Sequence, residues 1–115
     1  MIMKHYRLVV FSQDNCKPCK KLKEHLASLP DEQRLEIELQ SFKTPDGEPT
    51  AFAKHCGVEL TPTLVVLADS LYCIKEDDEE YCDVNYFPVE SVVGGKAIIK
   101  QLQVLLSTYT YALPE

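Results

Sequence analysis

Apolar residues run almost unbroken through 6–11, Tyr-Arg-Leu-Val-Val-Phe, a β-rich stretch of the kind covered on both faces inside a sheet. The period then changes. Over 17–28, Cys19, Leu22 and Leu26 recur at helical spacing with Leu29 just beyond, which predicts a helix. Pro18 fits its first turn, where a missing N–H costs nothing, and Pro30 is expected to end it. Residues 35–41 alternate Leu35, Ile37 and Leu39 with Glu36, Glu38 and Gln40, the pattern of a strand with one wet face, and Pro45-Asp46-Gly47 predicts a loop after it. A second helix is expected over 48–56, with Pro49 in its first turn, Phe52 and Cys56 one turn apart, and Gly57 as its stop. Leu64-Val65-Val66-Leu67 then reads as another strand buried on both faces, and Pro62 just before it is a candidate for a cis peptide bond.

Between Leu71 and Val89 the pattern suggests an extended hairpin. Its solvated tip is Glu76-Asp77-Asp78-Glu79-Glu80, and its arms set Cys73 opposite Cys82. The acidic run lacks the ligand spacing and turn glycine of a calcium loop and reads as a solvated turn. Residues 90–93 form the last expected strand, Gly94-Gly95 closes it, and Ile98, Ile99, Leu102, Leu105 and Leu106 mark one face of a helix over 96–107. The order β-α-β-α-β-β-α predicts an α/β fold with a central mixed sheet flanked by helices. At 115 residues the chain is expected to be one domain, 1–115, with the acidic hairpin inserted at about 71–89.

The chemistry concentrates at Cys16-Lys17-Pro18-Cys19, where the first strand hands over to the first helix. A cysteine at a helix start lies near unpaired backbone N–H groups that favour thiolate over thiol, and the second cysteine follows one turn later on the same side. Zinc is the competing reading, but Cys56, Cys73 and Cys82 supply no second CxxC and His25 and His55 are not spaced as a ligand pair, so no metal is expected. Lys17 and Lys20 flank the sulfurs, where positive charge favours thiolate further, whereas Lys21 and Lys23 read as the wet face of a helix. Cys56 reads as a small buried apolar side chain, and His5, His25 and His55 as surface or packing residues.

A net charge of −6 argues against nucleic-acid or anionic-membrane partners, which want clustered Lys and Arg. Lys4, His5 and Arg7 interrupt the amino end, so no signal peptide is read there, and no run reaches membrane-spanning length. A cytoplasmic location follows as the expectation. In that reducing compartment a CxxC is expected to be catalytic, and Cys73 and Cys82 are expected to be two unpaired thiols rather than a second disulfide.

With these residues in view, the chain resembles the thioredoxin superfamily, most closely its small cytoplasmic and glutaredoxin-like thioredoxins. The matching segments are 16–20 at the strand-to-helix turn, Lys54-His55-Cys56-Gly57-Val58 leading into Thr61-Pro62-Thr63-Leu64, and Gly94-Gly95 before the final helix. The resemblance implies a thioredoxin-like fold and reduction of protein disulfides by Cys16 and Cys19, with no bound cofactor. It makes Pro62 the cis-proline facing the redox pair, Thr61 a backbone docking point for a substrate strand, and Gly94-Gly95 the border of the substrate groove. It also implies a monomer whose partners are disulfide-containing proteins and a flavin-containing thioredoxin reductase that draws on NADPH. The sequence departs from the family pattern in several places. Fifteen residues precede Cys16, so the leading strand and helix of typical thioredoxins are not expected. Asn15 stands in place of an aromatic residue, Lys17 in place of glycine, and Val10 in place of the buried aspartate that assists the resolving thiol. Lys96 and Ala97 replace the aspartates with which glutaredoxins hold glutathione, so glutathione coupling is a secondary reading. A disulfide oxidant or isomerase, and a redox-inactive module that uses the groove as a docking platform, are the other readings.

Overall fold

The computed structural model describes residues 5–110; the first four and last five residues of the expected 1–115 domain lie outside the described residues. Four strands, β1 (Tyr6–Ser12), β2 (Ile37–Ser41), β3 (Thr63–Glu76) and β4 (Glu79–Val93), form one sheet in the order β2-β1-β3-β4. β1 pairs parallel with β2 and antiparallel with β3, and β3 pairs antiparallel with β4, so the sheet is mixed as expected. The helices are α1 (Lys17–Ala27), α2 (Asp31–Arg34), α3 (Ala51–His55) and α4 (Gly95–Tyr109).

The unbroken apolar runs follow from burial on both faces. Successive strand residues point to opposite sides, and Leu8, Val10, Leu64 and Val66 pack with Leu22 and Leu26 of α1 and Ile98, Leu102, Leu105 and Leu106 of α4. Their neighbours Val9, Phe11, Val65 and Leu67 pack on the other face with Phe42, Ala53, Cys56 and Val58. All of Leu8–Phe11 and Leu64–Leu67 have no solvent exposure, which fixes the register of the two central strands.

Several local expectations are corrected. α1 ends just before Pro30, as expected, but Pro30 has a second role. That helix stops at Ala27 with Ser28 as its cap, and Pro30, at φ −56°, caps the unforeseen one-turn α2. Leu35 is then the last cap of α2 rather than the first residue of a strand, and it is 72 % exposed. Leu39 is also exposed because β2 is an edge strand with no helix covering that position. Pro49 lies outside α3, pairing with Lys43, and Thr50 caps that helix by accepting from Ala53 N at 3.1 Å.

The acidic hairpin is not an insertion between separate strands. β3 and β4 run on continuously for 14 and 15 residues, and their outer halves form a two-stranded arm that helps give the molecule its 53 Å long axis. Asp77 and Asp78 both take positive φ, which makes the tip a tight two-residue turn of the kind that matches strand twist. The expectation of unpaired thiols at Cys73 and Cys82 is corrected too: they are directly opposed in the ladder, with Cα atoms 4.1 Å apart, and are bonded as a disulfide. Register forces this proximity. The hairpin pattern already sets them opposite each other, and the bond is what departs from the expectation drawn from a reducing compartment.

Candidate functional site

β1 ends at Ser12, and the turn that follows delivers Cys16 to the cap of α1. Asn15 in that turn sits at φ +61°, a left-handed conformation that asparagine accepts more readily than most residues. Cys16 is half-buried, and its Sγ accepts from Cys19 N at 3.2 Å, taking up one of the helix's free N–H groups. Cys19 faces the core at 1 % exposure and is bonded to Cys16 across a Cα separation of 5.2 Å. The two sulfurs are therefore unequal: one meets solvent and the other faces inward.

The Thr61-Pro62 bond is cis, as expected, and stands against this pair. The Thr61 carbonyl oxygen and hydroxyl each lie 3.8 Å from Cys16 Sγ. Gln13 was not legible as a site residue. Its Nε2 donates to Thr61 Oγ1 at 2.8 Å, which leaves the hydroxyl proton free to point at the sulfur. Only the turn position of Gln13, three residues before Cys16, could have hinted at this.

Pro62 O accepts from Gly94 N at 2.9 Å, tying the proline turn to the start of α4. Gly94 has φ +99°, and a Cβ on Gly95 would meet the Pro18 carbonyl oxygen at 3.1 Å, so the double glycine lets α4 close against α1. The result is a mostly apolar groove of about 520 Å³ lined by Pro18, Thr61, Pro62, Gly94, Gly95 and Ile99, with Lys17, Lys21 and Lys96 among its walls. Cys16 and Lys20 line a neighbouring hollow of about 530 Å³ on the far side of Lys17, together with Asp14 and Lys23. The structure thus gathers Lys17, Pro18, Thr61, Pro62, Gly94 and Gly95 around one groove with Cys16 beside Thr61, and leaves Lys20 outside it.

Other titratable groups lie elsewhere. Cys56 is free and buried, and burial raises its thiol pKa, with Arg7 opposing that shift. Arg7 binds Glu38 through two hydrogen bonds of 2.8 and 2.7 Å and lies over the rings of Phe52 and Tyr86, so the Glu38 hydrogen bond holds its guanidinium even more firmly protonated. His5 pairs with Asp69 and His55 with the Tyr86 carbonyl, at the root of the arm. Cys73, Glu80 and Cys82 form the one group of three metal-ligand types within 4.8 Å among the described residues, and both of its sulfurs are engaged in the arm disulfide.

The family model of a thioredoxin-like domain matches residues 3–71, a span that includes the sulfur pair and the proline turn. No curated protein matches the sequence. Among solved structures, the thioredoxin of Fasciola hepatica is 19 % identical with a TM-score of 0.57, over 93 % of this chain and 84 % of that one. The Plasmodium falciparum thioredoxin is 18 % identical with a TM-score of 0.55, over 94 % and 74 %, and the Malassezia sympodialis thioredoxin 15 % with 0.56, over 92 % and 76 %. At these identities the likeness establishes the fold.

Proposed function

The chain belongs to the thioredoxin-like domain family, and on that premise we propose that it is a thiol–disulfide oxidoreductase that reduces protein disulfides through Cys16 and Cys19. The observation that carries the reading is the unequal sulfur pair at the cap of α1, one half-exposed beside the cis Thr61-Pro62 bond and an apolar groove, the other inward-facing.

In the reduced protein the Cys16 thiolate attacks one sulfur of a target disulfide, forming a mixed disulfide and releasing the target's other sulfur as a thiolate. Cys19 then gives up its proton and attacks Cys16 Sγ, expelling the second target sulfur and leaving Cys16 bonded to Cys19. The Cys19 N–H and the Thr61 hydroxyl, both directed at Cys16 Sγ, favour its thiolate form, and Lys17 and Lys20 add positive charge nearby. Val10 is buried in the core where the family carries an acid, so the Cys19 proton leaves to water or to the departing target thiolate. The groove takes an extended target segment against Thr61 and Pro62, with Gly94-Gly95 leaving its floor open.

The same reading has the protein working as a monomer in a reducing cytoplasm, binding no cofactor, with reducing equivalents from NADPH through a flavin-containing thioredoxin reductase. Insulin reduction by dithiothreitol tests it. Wild type is expected to accelerate precipitation of the insulin B chain and Cys16→Ser to fall to the uncatalysed rate. Equal rates for the two would refute the catalytic role and favour a docking platform.

A further inference from the structure

The arm carries a second disulfide that the proposed reaction does not use. Cys73 and Cys82 are both exposed, as is every residue from Ser70 to Asp83. Cross-strand partners share a face and alternate along the strand, so the disulfide shares its face with the Leu71–Val84 pair towards the root and the Lys75–Glu80 pair towards the tip. An exposed disulfide is open to attack by a thiolate, unlike one sealed in a core.

Its own chain cannot supply that thiolate. β3 starts at Thr63, beside the Cys16 site, and Cys73 lies ten residues further on, about 30 Å away at the strand's rise per residue. From Leu67–Pro88 to Glu76–Glu79 the ladder is continuous, with its one irregularity at Val66/Leu67, so no hinge along the arm folds the tip back.

Charge points to a second copy. Between Leu71 and Val89 six acidic residues stand against Lys75 alone, so the arm holds five of the chain's six net negative charges. At the other end Lys17, Lys21 and Lys96 wall the apolar groove and Lys20 and Lys23 line the hollow beside Cys16. Of the arm's exposed apolar residues Leu71 shares the disulfide's face, while Tyr72, Ile74 and Tyr81 lie on the opposite face of the same ribbon. A disulfide on an acidic arm, with exposed Leu71 beside it on the same face, thus complements a lysine-walled, apolar groove next to a reactive sulfur, but only between molecules.

We propose that Cys73–Cys82 is a second redox centre, reduced in trans by the Cys16/Cys19 dithiol of another copy. This rests on the redox reading of Cys16. The donor's Cys16 thiolate bonds to one arm sulfur and the other leaves as a thiolate; the donor's Cys19 thiolate then attacks Cys16 and frees the first. Two electrons pass to the arm, and its two thiolates take up the protons that Cys16 and Cys19 released. The donor ends as a disulfide and the acceptor arm as a dithiol.

The test mixes fully reduced wild type, freed of reductant, with an oxidised Cys16→Ser/Cys19→Ser acceptor that holds only the arm disulfide. Acceptor thiols are counted by alkylation and mass, the two chains being separable by mass. A melting curve confirms that the acceptor is folded, and a Cys16→Ala/Cys19→Ala acceptor serves as its duplicate. The acceptor is expected to gain two thiols, several-fold more slowly at 0.5 M than at 0.05 M salt and several-fold more slowly when it carries Glu76→Gln, Glu79→Gln and Glu80→Gln. No acceptor thiols from a donor that reduces insulin overturns the proposal and leaves the Cys16 reading standing; a donor that reduces neither overturns both. Equal transfer to the Cys16→Ala/Cys19→Ala acceptor from reduced Cys16→Ser/Cys19→Ser, whose thiols are the arm pair and buried Cys56, or a rate indifferent to salt, also overturns it.

Discussion

The sulfur of Cys16 owes its setting to short-range chemistry that the sequence shows only in part. The CxxC spacing, the helix start and Pro62 were all legible, because each is a local pattern with a local cause. The hydrogen-bond chain from Gln13 through Thr61 to Cys16 was not, since it joins residues 48 and 45 positions apart. Thr61→Val removes the hydroxyl directed at Cys16 Sγ, and the thiolate fraction of reduced protein at neutral pH, read by its ultraviolet absorbance, is expected to fall. Cys56 was read correctly as a buried small side chain. Burial raises its pKa above the ordinary thiol value, so the unfolded state loses that proton first as pH rises. The folded state then binds more protons, and the Cys56 contribution to stability is complete below the ordinary thiol pKa and lost as pH climbs through the raised one. Melting temperatures are expected to decline through that alkaline window, and Cys56→Ala to lessen the decline.

At the level of elements, the central strands were readable and the edges were not. Leu8–Phe11 and Leu64–Leu67 are apolar because both faces are covered, and that requirement writes itself into consecutive residues. Leu35 and Leu39 look like the inward half of an alternating strand, yet one caps α2 and the other sits on uncovered β2, differences set by where neighbouring helices end. Arg7 and Glu38 were equally opaque. Each reads as surface charge in its own strand, and only the parallel pairing of β1 with β2 brings them together into a doubly hydrogen-bonded pair. The arm is the element with least support. It has no residue in either core cluster between Ala68 and Ser91 apart from half-buried Tyr86, and a two-stranded ribbon alone is marginal in water. Its Cys73–Cys82 bond closes a short loop, worth roughly 2–3 kcal/mol on chain-entropy grounds. Reducing that bond, or replacing both cysteines with alanine, is expected to speed amide exchange between residues 72 and 83 and leave β1 protected; unchanged exchange in the arm would show that the ladder alone holds it.

Seen whole, the molecule separates its charges along its length, with lysines around the sulfur pair and acids on the arm, so a net charge of −6 describes neither end. Composition conveys the sum and hides this division, which depends on β3 carrying the chain from the proline turn to the far tip. The fold class and the gathering of Pro18, Thr61, Pro62 and the double glycine around one groove follow from motifs spread over most of the sequence. The opposition of Cys73 and Cys82 follows from the hairpin register, and the bond between them is what the sequence did not lead us to expect. The central claim is that Cys16 is the attacking sulfur and Cys19 the resolving one. Its most direct measurement is intermediate trapping: reduced Cys19→Ser and reduced Cys16→Ser, each also carrying Cys73→Ser and Cys82→Ser, are incubated with oxidised insulin and the products are mapped by mass spectrometry. The account predicts a stable insulin adduct on Cys16 of the Cys19→Ser protein and none on Cys19 of the Cys16→Ser protein; adducts of equal yield on both, or on Cys19 alone, would contradict it.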